Sequence, residues 1–132
     1  MQLRILLSGL VSAIAVCAVA APAQAPSLVA LNRIEPGQWA LREIGGTDKT
    51  LLCVADPRAL IHLRHPGAQC SRFVVEDKPR LATVHYTCPG AGHGRTDISV
   101  EGPRLIRLRT QGIADGAPFD AEYEGRRIGT CN

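Results

Sequence analysis

From residue 36 onward the chain runs in short stretches of alternating apolar and polar positions, punctuated by glycine and proline. A period of two is the mark of half-buried β-strands. Strands are expected over residues 39–44, 50–54, 70–76, 81–88, 96–101, 104–111 and 118–127. Pro36-Gly37, Gly45-Gly46-Thr47-Asp48 and Asp77-Lys78-Pro79-Arg80 read as turns. The helical signal is Asp56-Pro57, with Asp as N-cap and Pro at the first helical position. It opens a short helix through Leu60-Ile61 that ends before Pro66-Gly67. Strand follows strand without βαβ alternation. The expected fold is therefore mainly β: an antiparallel meander of about seven strands, strongly curved or barrel-like, with one short helix.

The pattern also predicts registers. Pairing Arg107 with Glu122 sets Arg109 against Asp120 on one face, and Ile106 by Tyr123 and Leu108 by Ala121 on the other, across a loop spanning residues 112–117. A slip of one residue would destroy both sets. Keeping Ile98 and Val100 on the face of Leu108 and Ile106 requires an odd loop, so a three-residue turn Gly102-Pro103-Arg104 is expected, with Asp97 beside Arg109.

Ahead of this region the pattern changes. Arg4 precedes an uncharged, mostly apolar run over residues 5–20, followed by Ala-Pro-Ala-Gln-Ala. This reads as a secretory signal over residues 1–23, cut before Gln24, and too short to be a good membrane span. Residues 24–35 form a leader, extended or briefly helical, and residues 36–132 form one domain. The expected location is periplasmic, with no transmembrane segment after cleavage. Apolar residues are 45% of the chain and charged residues 20%, which excludes an intrinsically disordered chain. Aromatics are only 4%, so the core must rest on Val, Ile and Leu. With Arg4 removed, 14 basic side chains face 12 acidic ones, too small an excess for a nucleic-acid binder.

Cleavage removes Cys17 and leaves Cys53, Cys70, Cys88 and Cys131, an even number in an exported chain. Folding residues 70–76 onto 81–88 places Cys70 opposite Cys88 and Val74 across from Val84, at a spacing a disulfide accepts. Cys53 is then left for Cys131. The competing zinc site lacks any Cys-x-x-Cys knuckle, so no metal ligands are assigned.

The segment Cys88-Pro89-Gly90-Ala91-Gly92-His93-Gly94-Arg95 has three glycines at alternate positions, whose N–H groups could converge on an anion beside Arg95. It lacks the Gly-Lys-Ser/Thr ending of a phosphate loop and leads into a strand, so a glycine-permissive connection is the plainer account. The imidazole of His93 could act as a general base, the role histidine most often fills. Neither Ser71 nor Ser99 sits in a nucleophile elbow, and all four cysteines are assigned to disulfides. His62-Leu63-Arg64-His65 has the spacing of a two-ligand metal motif, but reads better as a solvated helix end. His85 lies mid-strand. Trp39 is either the core anchor of the first strand or a stacking platform. His93, Arg95 and Trp39 are thus the ligand-binding candidates, with no catalytic residue and no cofactor assigned.

Pro36-Gly37-x-Trp39, then Cys53 before a short helical stretch, Cys70, Tyr86-Thr87-Cys88 and finally Arg127-Ile128-Gly129-x-Cys131 resemble the proteobacterial exported family known as domain of unknown function 3617. The resemblance covers about residues 33–132. The chain differs from that family in lacking methionine after Met1 and in its compact Gly45-Gly46 turn. It implies a periplasmic, disulfide-stapled β domain and supplies no activity or ligand. The function expected is a non-enzymatic binding or envelope-associated module, its partner a small ligand or an envelope protein. The alternative is a small hydrolase or metal-dependent enzyme using His93 and a nearby acid such as Asp97.

Overall fold

Seven strands form a single antiparallel sheet in the computed structural model, which describes residues 27–132. The expected signal over residues 1–23 and the first residues of the expected leader lie outside the described residues. The strands are β1 (Gly37–Glu43), β2 (Lys49–Val54), β3 (Ser71–Lys78), β4 (Leu81–Cys88), β5 (Gly92–Gly102), β6 (Leu105–Ala114) and β7 (Ala117–Gly129). Their spatial order is β2-β1-β7-β6-β5-β4-β3. The last strand therefore returns to pair with the first, and β3 to β7 form an uninterrupted meander.

The sheet stays open. β2 and β3 are its two edges and are not paired with each other, so the barrel-like closure allowed by the sequence does not occur. The chain passes from one edge to the other through residues 55–70, which carry the 3₁₀ turn Pro57–His62. This turn buries Leu60 and Ile61 against the sheet and fills its core face with side chains. Its start is the one expected: the Asp56 carboxylate accepts from the Arg58 N–H at 2.9 Å, with Pro57 at the first position. The helix is a six-residue 3₁₀ turn that stops at His62, short of Pro66-Gly67.

Trp39 and Leu41 of β1, Val84 and Tyr86 of β4, Ile98 and Val100 of β5, and Ile106 and Leu108 of β6 supply the sheet's share of the core. Each fully buried aliphatic of this kind contributes about 1.5–3 kcal/mol relative to exposure. The leader joins them. Leu28, Ala30, Leu31 and Ile34 are all buried, with a 3₁₀ turn at Leu31–Arg33, so the packed unit begins before Pro36.

Both disulfides form as paired above: Cys70–Cys88 within the β3–β4 hairpin and Cys53–Cys131 from β2 to the C-terminal tail. Val74 faces Val84, after which Val75 bulges out of the β3 ladder. Asp97, Ile98 and Val100 face Arg109, Leu108 and Ile106 as expected. The odd residue in that hairpin is a bulge at Glu101 rather than a third loop residue, because Gly102 already pairs with Leu105 across Pro103-Arg104.

The β6–β7 register is a correction. Arg107 faces Glu124, Arg109 faces Glu122 and Leu108 faces Tyr123, two residues from the expected pairing. The cause is the turn. Ala114 pairs with Ala117, leaving only Asp115 and Gly116 in the loop, with φ of 50° and 80°. Those values suit the two-residue Asp-Gly turn that hairpins favour. A slip of two keeps every side chain on its face, so apolar and charged residues still segregate. Arg109 still reaches Asp120, diagonally, at 3.0 Å.

Candidate functional site

Beyond its turn the glycine-rich segment is strand, and there Gly92 and Gly94 answer to packing. Gly92 and Gly94 belong to β5, and the turn itself falls at Pro89-Gly90. A Cβ on Gly94 would stand 2.5 Å from the Tyr86 hydroxyl oxygen. One on Gly92 would collide with the Ile113 carbonyl and come within 2.9 Å of His65 Nε2. The missing side chains make room for a buried polar pair on the core face, not for an anion.

That pair is His65 and Tyr86, which the sequence reading did not bring together. His65 is 5% exposed, which corrects its reading as part of a solvated helix end. Its Nε2 lies 2.9 Å from the Ile113 carbonyl oxygen and its Nδ1 lies 3.0 Å from the Tyr86 hydroxyl. A carbonyl only accepts, so Nε2 carries the proton and Nδ1 accepts from Tyr86 in the neutral ring. Burial pushes the Tyr86 phenol above its usual pKa, which keeps the hydroxyl proton in place. Beside it, Thr96 Oγ1 reaches the Ile61 carbonyl at 2.7 Å and Thr110 Oγ1 at 3.0 Å. The 3₁₀ turn is therefore fastened to the sheet by polar as well as apolar contacts. The available signal was strand alternation: Tyr86 shares the parity of Val84 and faces a glycine in β5.

His62 packs edge-on against Tyr86, with ring centroids 4.9 Å apart. Its Nε2 is buried without a hydrogen-bond partner among the described residues. Burial first, then the charge of Arg72 and the neighbouring His65, lower the His62 pKa below its ordinary value.

The ligand candidates separate. Trp39 is fully buried, with Nε1 donating to the Glu35 carbonyl at 3.0 Å, so it presents no face for stacking. His93 and Arg95 stand exposed on the outer face of β5. His85 is directly opposite Arg95 on one side, and Gln111 is opposite it on the other. With Ile113, Phe119 and Asp120 they line an open groove of about 540 Å³.

The acid–base pair of the alternative reading is not assembled. Asp97 is four residues from His93 on the same strand, roughly 13 Å along a β-strand. Its carboxylate accepts from Thr83 Oγ1 at 2.7 Å and pairs with Arg95 at 3.2 Å. Asp120 is paired with Arg109. Among the described residues no three His, Cys, Asp or Glu side chains are grouped so as to hold a metal ion.

The remaining surface feature is an edge. Phe73 is 71% exposed and Val75 48% exposed on β3, whose outer side has no partner strand. On the opposite edge Leu51 is 58% exposed. No protein-family model matches the chain, and it matches no curated protein and no solved structure.

Proposed function

We propose that this chain is an exported, non-enzymatic module of the cell envelope that binds an extended segment of another envelope protein along β3. The observation that carries this reading is the open β3 edge with Phe73 and Val75 in solvent, beside a core face already filled by its own side chains. An unpaired edge offers main-chain donors and acceptors to an added strand, and neighbouring side chains select its sequence. Asp77 accepts from the Val29 N–H at 2.7 Å, so the N-terminal segment occupies that end of β3. The stretch open to a partner is residues 71–75. Arg72, with no ion pair among the described residues, favours an acidic residue in the partner, and Phe73 an apolar one. Export is supported by the apolar N-terminal run and by two disulfides, which persist in oxidising compartments. No helix among the described residues is long and apolar enough to cross a membrane.

The test is a photo-crosslinking side chain placed at Phe73, and separately at His93, in intact cells. A single adduct from position 73, mapped to one short segment of one envelope protein and lost on Arg72→Glu, is the expected result. A discrete adduct from position 93 with none from position 73 would overturn the assignment to β3.

A further inference from the structure

Where β7 runs on past the start of β6, the sheet ends in an open groove of about 610 Å³. Arg104, Leu105, Arg126, Arg127 and Ile128 line it, together with Glu35 of the leader. Its frame is held by the backbone: the Glu35 N–H donates to the Pro103 carbonyl at 2.9 Å, and the Arg127 N–H to the Arg104 carbonyl at 3.0 Å. All three guanidiniums are gripped at the same atom. Nε of Arg104 donates to Glu35 at 2.8 Å, Nε of Arg126 to Glu124 at 3.0 Å and Nε of Arg127 to the Pro36 carbonyl at 2.8 Å. Their Nη1 and Nη2 groups donate no hydrogen bond among the described residues. Nor is the charge matched. Glu35 is shared by Arg104 and Arg127, and Glu124 by Arg126 and, at 3.7 Å, Arg42, so two carboxylates serve four guanidiniums. Leu105 and the exposed Ile128 stand among these charges.

We propose that this end of the sheet docks on an anionic lipid surface, where phosphate headgroups accept from Nη1 and Nη2 of Arg104 and Arg126 and Ile128 enters the layer beside them. A guanidinium held at Nε presents two parallel N–H donors at its far end, the fork that fits two oxygens of one phosphate. The excess of guanidinium over carboxylate selects an anion. The exposed isoleucine selects an anion with an apolar layer behind it. The groove is open, so it leaves a small soluble phosphate largely in water, whereas a bilayer offers several headgroups to one face. The site does not rest on the β3 edge, from which β6, β5 and β4 separate it.

The experiment is flotation of the mature, disulfide-bonded protein with vesicles of phosphatidylcholine, with and without phosphatidylglycerol. Binding is expected only where phosphatidylglycerol is present. Arg104→Gln and Arg126→Gln should each weaken it about fivefold, the worth of one arginine near an anionic surface. Both side chains are exposed, so both variants should keep the parent's melting curve. Ile128→Ser should weaken binding too, and Arg58→Gln, on the connection between the sheet edges, should leave it unchanged. Equal binding to the two vesicle types, or to neither, would overturn the docking. Equal or tighter binding to vesicles brought to the same charge with oleate would overturn the phosphate headgroup. Release by glycerol phosphate at a matched phosphate concentration would reassign the groove to a soluble phosphate and overturn the lipid surface. If Arg104→Gln and Arg126→Gln weaken binding no more than Arg58→Gln does, the groove is not the site.

Discussion

The Tyr86 hydroxyl donates to His65 Nδ1 across 3.0 Å, and that bond fastens the connection between the sheet's two edges to β4, the strand beside the β3 edge. Removing the hydroxyl leaves Nδ1 buried without a donor, and an unsatisfied buried acceptor costs about 1–3 kcal/mol. Tyr86→Phe is therefore expected to lower the unfolding free energy by that amount, read as a lower urea midpoint with an unchanged slope, because neither state loses compactness. His65→Phe should cost at least as much, because it takes the partner from two groups, the Tyr86 hydroxyl and the Ile113 carbonyl.

The same pair gives the glycines of β5 a measurable role. Gly94→Ala drives a Cβ into the Tyr86 hydroxyl and ring carbon, at 2.5 and 2.7 Å. Overpacking of this kind costs about 1–3 kcal/mol. Gly102→Ala, whose Cβ meets nothing within 4 Å, should stay within about 0.5 kcal/mol of the parent. Combining Gly94→Ala with Tyr86→Phe should cost less than the sum of the two, since the variants share one clash. Thermal or urea melts of the four proteins check this.

The sequence made the faces of the sheet legible and left one register and most of the polar core hidden. Alternation is local, so the apolar side of β5, β6 and β7 could be read strand by strand. Pairing is not local. Two registers that differ by two residues satisfy the same alternation, and between them only the turn decides. Asp115-Gly116 carried that information, but Arg109 can reach Asp120 in either register, so charge matching alone did not discriminate. The Cys70–Cys88 pairing was legible because both cysteines border a hairpin whose register Val74 and Val84 already fix. The contact between His65 and Tyr86 joins residues 21 apart through a non-strand connection, and no periodicity reports such a meeting. Phe73 was readable as a strand residue, but its exposure depends on β3 being an edge, a property of the whole topology.

Acid should loosen the same connection through His62. Burial, Arg72 and His65 all hold its folded pKa below that of an ordinary imidazole, so the unfolded chain binds the proton more readily. Stability is then full above the unfolded pKa and falls as pH drops through the folded one. Urea midpoints from pH 7.5 down to 5 should decline below about pH 6.5. In His62→Phe, which carries no titrating group there, the decline should be smaller. An equal decline in the variant would place the acid sensitivity elsewhere.

The two disulfides should differ in worth because they close different lengths of chain. Cys70–Cys88 spans 18 residues and Cys53–Cys131 spans 78. On the chain-entropy account the first restricts the unfolded state by about 3 kcal/mol and the second by about 4.5 kcal/mol. Position in the sheet acts in the same direction. Cys70–Cys88 reinforces a hairpin already closed by its own ladder, whereas Cys53–Cys131 ties β2 to the tail beyond β7. β2 pairs with β1 alone, so without that link it is held by one ladder. Replacing Cys53 and Cys131 by alanine should therefore destabilise the protein more than replacing Cys70 and Cys88. It should also speed hydrogen exchange first at residues 49–54. Equal losses from the two double variants, with exchange rising evenly over the sheet, would mean that neither loop length nor edge position governs how the cross-links act.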